Sequence, residues 1–305
     1  MAIFEQLVCA DRTRLTEAGL AELQSCSRGA LRCFPDDPAS EAELAERIGD
    51  ADAVLVGWQT RVPATVLRQA RRLRYVGLCC SLYDPASANV DIAAARTLGI
   101  EVRGVRDYGD EGVVEFVLAE LVCLFKGLGD RRWGEEPAEL AGKTLGIVGF
   151  GTTGQMVARA ARGFGMEVLY FSRTRKPGSE GTGVLYAPLA ELLARADAVT
   201  THLPRNTRLL DEAAFAAMRP RSVLVNTSLG PTFDVEAFCA WIEGAGHFAV
   251  FDADGAAGCA ERLAAAPRVR IYGRSSGFTA EARLRLTEKV IANLRSFLEG
   301  QGSAG

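Results

Sequence analysis

The chain has 305 residues, 48% of them hydrophobic and 24% charged, a composition that excludes a disordered chain, a collagen-like repeat and a small disulfide-stapled scaffold. The length accommodates roughly two domains, each large enough to bury a core of its own. With 35 basic against 38 acidic residues the net charge is -3, so bulk electrostatics gives no ground for a nucleic-acid or membrane-surface partner.

The eight cysteines, Cys9, Cys26, Cys33, Cys79, Cys80, Cys123, Cys239 and Cys259, form no CxxC pair and no zinc-type spacing with histidine. They read as reduced thiols of a cytoplasmic protein without a metal site. Glu5 and Asp11 interrupt what would have to be the apolar region of a signal peptide, and no run of about 18 uncharged apolar residues occurs. Neither secretion nor membrane spanning is expected.

Short apolar, β-branched runs alternate with helical patterns, the rhythm of βαβ units, so the class is α/β. In the first third the pattern predicts helix 16–23, strand 30–34, helix 40–48, strand 53–56, helix 63–70, strand 75–78, helix 92–98 and strand 100–105. Ser40 and Glu43 carry capping-box spacing. A long apolar helix follows at 112–125, and the charged, Gly/Pro-bearing stretch 126–142 reads as a boundary between folding units. A second series then predicts strand 144–150, helix 153–164, strands 167–171 and 198–202, helix 211–218, strand 222–227, helix 234–242, and strands 247–251 and 269–272. The amphipathic tail at 280–298 is suited to crossing back to the first domain, with the last six residues expected to fray.

The sharpest motif is Gly149-Phe150-Gly151-Thr152-Thr153-Gly154, set between a buried strand and an amphipathic helix. Gly149 serves the tight turn, Gly151 lets backbone approach a pyrophosphate, and Gly154 lets helix lie close on strand. The helix N-terminus, at Thr152 and Thr153, offers unpaired amides and a positive dipole end to phosphate. A tight turn without a ligand is the competing reading. At the end of the next strand no acid is present to accept from a ribose 2′-OH; the run is Ser172-Arg173-Thr174-Arg175-Lys176. A hydroxyl and cations there suit the extra phosphate of NADP, which is favoured over NAD, the competing reading being a solvated basic loop.

Several collinear motifs resemble the D-isomer-specific 2-hydroxyacid dehydrogenase family: the glycine turn entered by Leu140-Ala141-Gly142-Lys143-Thr144, Val114-Glu115-Phe116, Thr201-His202-Leu203-Pro204, Met218-Arg219-Pro220, Leu224-Val225-Asn226-Thr227 and Phe251-Asp252. The resemblance implies a Rossmann-type cofactor domain, 109–280, inserted in a flavodoxin-like substrate domain made of 1–108 and 281–305. It also implies a cleft between the domains as active site, a homodimer and a small-molecule substrate. On it, His202, Leu203, Pro204, Thr227 and Asp252 join the cofactor positions.

That family uses an arginine to hold the substrate carboxylate, a histidine to move the proton and a glutamate to raise the histidine's basicity. At the matching positions this chain carries Leu229 in Asn226-Thr227-Ser228-Leu229-Gly230, Arg274 in Tyr272-Gly273-Arg274-Ser275-Ser276-Gly277-Phe278-Thr279, and Ala257 in a small-residue loop. Leu229 cannot bind a carboxylate, and an arginine, with a pKa above about 12, cannot shuttle protons at neutral pH. Ordinary 2-hydroxyacid oxidation is disfavoured.

Other groups are available. Tyr108 precedes the long helix and can donate a proton. Asp110 and Glu111 read either as helix-capping acids or as shielded carboxyls. Cys79-Cys80-Ser81 stands where the family places a glycine-containing turn against the substrate, which implies bulk and a thiol there. His247, at a strand start, reads as structural. Two functions are compatible with these residues. One is an NADP-dependent oxidoreductase in which Arg274 clamps an anion or a developing oxyanion and Tyr108 or water supplies the proton. The other is a catalytically inactive dinucleotide-binding homologue with a regulatory or structural role.

Overall fold

In the computed structural model, which describes residues 3–180, 183–244, 246–266 and 268–302, the apolar runs pair into a five-stranded and a seven-stranded sheet, parallel at every strand pair. Each sheet belongs to its own unit, Met1–Tyr108 with Ala280–Gly305, and Gly109–Thr279.

The first unit runs β1 (Leu7–Cys9), α1 (Glu17–Gln24), β2 (Arg32–Cys33), α2 (Glu41–Ile48), β3 (Ala53–Val56), α3 (Ala64–Gln69), β4 (Tyr75–Ser81), α4 (Ile92–Thr97) and β5 (Glu101–Val105). The strand order β2-β1-β3-β4-β5 is the flavodoxin-like order, with its switch point between β1 and β3. The periodicity misses β1 because three wholly buried residues are too few to show alternation. It overextends β2, whose two residues are exposed. Ser40 caps α2 by accepting from the Glu43 amide at 3.2 Å, but Glu43 accepts from the Ala39 amide at 2.8 Å rather than closing the box on Ser40.

The Cys9 and Cys33 residues are register partners on β1 and β2, one buried and one exposed. A hydrogen bond from the Cys9 thiol holds Cys33 down to about 7. Since the thiolate is the nucleophile, alkylation of Cys33 by iodoacetamide should rise through a midpoint near pH 7. Buried Cys79, pushed up by desolvation, should stay unlabelled over the same range. Peptide-resolved labelling checks this, and a Cys33 midpoint near the free-thiol value of about 8.5 would contradict it.

The second unit runs α5 (Asp110–Lys126), β6 (Thr144–Val148), α6 (Thr152–Gly163), β7 (Glu167–Phe171), α7 (Pro177–Glu180), β8 (Val184–Tyr186), α8 (Leu189–Arg195), β9 (Ala198–Thr201), α9 (Glu212–Ala217), β10 (Val223–Asn226), α10 (Val235–Glu243), β11 (Phe248–Phe251), α11 (Ala260–Ala264) and β12 (Val269–Ile271). Its order, β12-β11-β10-β9-β6-β7-β8, is the doubly wound Rossmann arrangement with an added edge strand, and its switch point lies between β6 and β9. Phe215, Phe233, Phe238 and Phe251 are buried together against one face, each such ring contributing about 2–3 kcal/mol.

The stretch 126–142 is not a boundary. It folds back onto α5, with the Trp133 and Ala138 amides donating to the Leu124 and Phe125 carbonyls at 3.1 and 2.8 Å and the Trp133 ring stacked on Phe125 at 4.6 Å. Its charge and glycine content mark a surface loop inside the second unit. The last helix, α12 (Ala280–Gly302), belongs to the first unit, where Phe297 meets Tyr75 at 4.9 Å and Phe4 at 5.8 Å. The final residues 303–305 lie outside the described residues.

Candidate active site

At the β6–α6 turn the three glycines have separate surroundings. Gly149 has φ +98°, and a Cβ there would stand 2.2 Å from the His202 carbonyl oxygen. A Cβ on Gly154 would stand 2.3 Å from the Gly149 carbonyl oxygen. Around the Cβ position of Gly151, by contrast, no atom of the described residues lies within 4 Å apart from its chain neighbours. The first two glycines fold the turn; the third leaves an open approach to backbone. No side chain caps α6, so its first-turn amides face that space without intrahelical acceptors. This cradle fits the diphosphate of a dinucleotide, with Gly149, Gly151, Thr152 and Gly154 as the backbone that would hold it. The Thr153 hydroxyl, expected at the cofactor, instead donates to the Asp110 carboxylate, which leaves its amide for the ligand. Asp110 is the first residue of α5 rather than its cap, which is Gly109.

Beyond β7, two expected phosphate ligands are engaged by the protein. The Ser172 hydroxyl donates to the Thr174 carbonyl at 2.7 Å. Arg175 makes a two-pronged pair with Glu180 at 2.6 and 2.7 Å. Arg173 is exposed and among the described residues has no ion-pair partner.

The carboxyl ends of β9, β10 and β11 carry a buried polar network. Asn226 Oδ1 accepts from the Thr201 hydroxyl at 2.8 Å and the Ser228 amide at 3.0 Å, while its Nδ2 donates to the Gly230 and Gly255 carbonyls at 3.1 and 2.9 Å. The Ser228 hydroxyl accepts from the Leu203 amide and donates to the Thr201 carbonyl, so one network sets the His202-Leu203-Pro204 loop and the Thr227–Leu229 segment. Every hydrogen-bonding site of Asn226 is used. Asn226→Ala strands several buried groups, and we expect it to destabilise the protein by about 3 kcal/mol or more. A lowered urea midpoint with unchanged slope checks this; an unchanged midpoint contradicts it.

Asp252, expected at the cofactor, is buried with its carboxylate taken up by protein donors. It accepts from the Gly255 amide at 2.7 Å and from the Ser276 amide and hydroxyl at 2.8 and 2.6 Å. Burial raises its carboxyl despite these donors. The neighbouring loops are tied together, Gly230 N–H to the Asp254 carbonyl at 2.9 Å and Ala253 N–H to the Arg274 carbonyl at 3.1 Å. Leu229, Ala257 and Arg274 therefore stand on linked loops at one edge of the sheet. Arg274 is exposed, and its guanidinium has no partner among the described residues.

Neither histidine suits proton transfer at neutral pH. Burial takes His202 down to about 4, and its Nε2 lies 3.1 Å from the Thr200 hydroxyl. His247 stacks on Trp241 at 4.3 Å and reaches the Ser222 hydroxyl at 3.3 Å, a structural role.

In the first unit, the two thiols expected beside the substrate are buried. β4 continues through Ser81, so Cys79 and Cys80 are strand residues 5% and 3% exposed, and the Cys80 thiol is directed to Asn89 at 3.7 Å. Ser81, at the strand end, is partly exposed. Tyr108 is partly exposed, and its carbonyl accepts from Arg285 at 2.8 Å. Sequence reasoning passed over Asp11, which is buried two residues beyond β1 and receives the Gly57 amide at 2.8 Å on both oxygens. It also passed over Ser276, which the topology brings to Asp252, and Glu180, which the short turn after β7 brings to Arg175 five residues away.

The fold and the glycine cradle define the second unit as a Rossmann-type dinucleotide-binding domain. Residues 126–265 match the family model "D-isomer specific 2-hydroxyacid dehydrogenase, NAD binding domain". A glyoxylate reductase of Pyrococcus furiosus is 33% identical over 285 residues, covering 85% of this chain and 83% of the relative. A hydroxypyruvate reductase of Blautia hydrogenotrophica is 28% identical over 281 residues, with 85% of each chain covered. Among solved structures, an acyclic imino acid reductase in complex with NADPH and D-Arg superposes with TM-score 0.82 at 24% identity, covering 97% of both chains. The chain belongs to the D-isomer-specific 2-hydroxyacid dehydrogenase family, a family of oxidoreductases. No helix among the described residues is long and apolar enough to cross a membrane.

Proposed function

We propose that the protein is an NADPH-dependent reductase of a small anionic substrate bearing a C=O or C=N bond, working with a rebuilt active site. The observation that carries this reading is the cradle at Gly149, Gly151 and Gly154, followed by a strand end with Ser172 and an exposed Arg173, without an ion-pair partner among the described residues, in place of an acid. The names of the relatives supply the substrate class: 2-oxo acids for the glyoxylate and hydroxypyruvate reductases, an imino acid for the structural neighbour with NADPH.

The bound coenzyme supplies the hydride. Gly151 and the first α6 amides hold the diphosphate, and Arg173 with Arg175 meets the third phosphate. The loop 202–204, with Thr227, forms the wall beside it. Arg274 offers a guanidinium fork to a substrate carboxylate or to the oxygen on which charge develops. Being permanently charged, it does not donate the proton, which falls to Tyr108 or to water. With Leu229, Ala257 and Arg274 at the three matching positions, the site does not build the related family's arginine–glutamate–histidine set, and Tyr108 or water takes the proton-transfer role in both directions. A homodimer acting in the cytoplasm is the assembly and setting that accompany this reading.

Stopped-flow absorbance of enzyme-bound NADPH, mixed with glyoxylate, hydroxypyruvate and imino acids formed from 2-oxo acids and amines, tests it. Rapid, saturable loss of the reduced nicotinamide signal supports the proposal. Binding of NADPH with no oxidation across the panel would favour the inactive homologue.

A further inference from the structure

Beyond β7 stands a carboxylate that the glycine motif and the basic run do not include. Glu180 closes α7 and grips Arg175 with both oxygens, Nε to Oε1 at 2.6 Å and Nη2 to Oε2 at 2.7 Å. Its position is set by the protein. Glu180 Oε1 also lies 3.3 Å from the Tyr170 hydroxyl, that hydroxyl accepts the Lys176 amide at 2.7 Å, and the Arg175 guanidinium sits over the Tyr186 ring at 5.5 Å. The Arg175 fork is thus matched by a carboxylate in the geometry that a phosphate would use. The pairing holds the Glu180 carboxyl below the usual range, so it is charged at neutral pH.

We propose that Glu180 is the coenzyme-specificity residue of this site, an internal competitor that occupies Arg175 until a 2′-phosphate displaces it. The proposal rests on the NADPH reading above. Arg173 makes the first contact with the incoming phosphate. Arg175 joins only by exchanging one anion for another, a carboxylate for a phosphate of charge near -2. Because the Glu180 carboxylate stays close to the phosphate after the exchange, it penalises NADP and leaves NAD untouched. The sequence therefore reads as more strongly NADP-selective than the site is.

Calorimetric titration of the full-length wild type, Glu180→Gln and the double variant Glu180→Gln/Arg175→Ala with NADPH, NADH and 2′-AMP tests this. Glu180→Gln should tighten NADPH and 2′-AMP by about fivefold, as expected for releasing an exposed two-pronged pair and removing a nearby like charge. NADH affinity should be unchanged. The double variant should lose the gain. Three results would overturn the proposal: unchanged NADPH affinity, equal tightening of NADH, or a gain that survives loss of Arg175. Weakened NADH binding would overturn it differently, by making Glu180 the acceptor for a ribose 2′-OH. Failure of the wild type and both variants to bind NADPH while NADH binds refutes the cofactor reading itself, and the proposal with it.

Discussion

Gly149→Ala is expected to destabilise the second unit by about 3 kcal/mol and to abolish coenzyme binding, because it combines a left-handed backbone with a backbone collision. The residue has φ +98°, and the new Cβ would lie 2.2 Å from the His202 carbonyl oxygen. Neither atom is the end of a flexible side chain, so β6, the turn and the 202–204 loop must shift together. Gly154→Ala meets the Gly149 carbonyl oxygen at 2.3 Å and should behave alike. Gly151→Ala is the contrasting case, since no atom of the described residues apart from its chain neighbours lies within 4 Å of its Cβ position. It should fold with wild-type stability yet bind coenzyme at least about tenfold more weakly, because the methyl occupies the approach of the diphosphate. Thermal melts with and without NADPH separate the two effects. A Gly151→Ala protein with wild-type coenzyme affinity would show that the open space serves no ligand.

Arg274→Leu should lower kcat/KM for the reduced substrate by about 10²–10³, the usual cost of removing one donor to a developing oxyanion, with NADPH affinity unchanged. Arg274→Lys keeps the charge without the planar fork and should retain part of the activity. Steady-state kinetics on whichever substrate the stopped-flow panel identifies decides this. Turnover undiminished in Arg274→Leu would remove the arginine from the chemistry.

Much of this arrangement is legible in the chain because it is local. The Gly149, Gly151 and Gly154 roles follow from spacing between a buried strand and a helix, and the α/β class follows from alternating apolar periods. The stretch 126–142 misleads because charge and glycine describe a surface loop equally well inside a domain or between two. Cys79 and Cys80 are expected at the substrate because they stand where the related family has a glycine-containing turn, whereas here β4 continues through them. The polar network is illegible for a different reason. Asn226, Asp252 and Ser276 lie on separate segments and are joined in one region only because β10, β11 and β12 are neighbours. Glu180 is hidden for another reason: it lies only five residues from Arg175, but nothing in Pro177–Glu180 announces that its carboxylate takes that fork.

The most direct measurement is a calorimetric titration of the purified wild-type protein with NADPH, NADP, NADH and NAD. Saturable heat at one site per chain, strongest for the phosphorylated pair, is the predicted result. Absence of heat with all four coenzymes would contradict the assignment of the glycine turn to a diphosphate and everything built upon it.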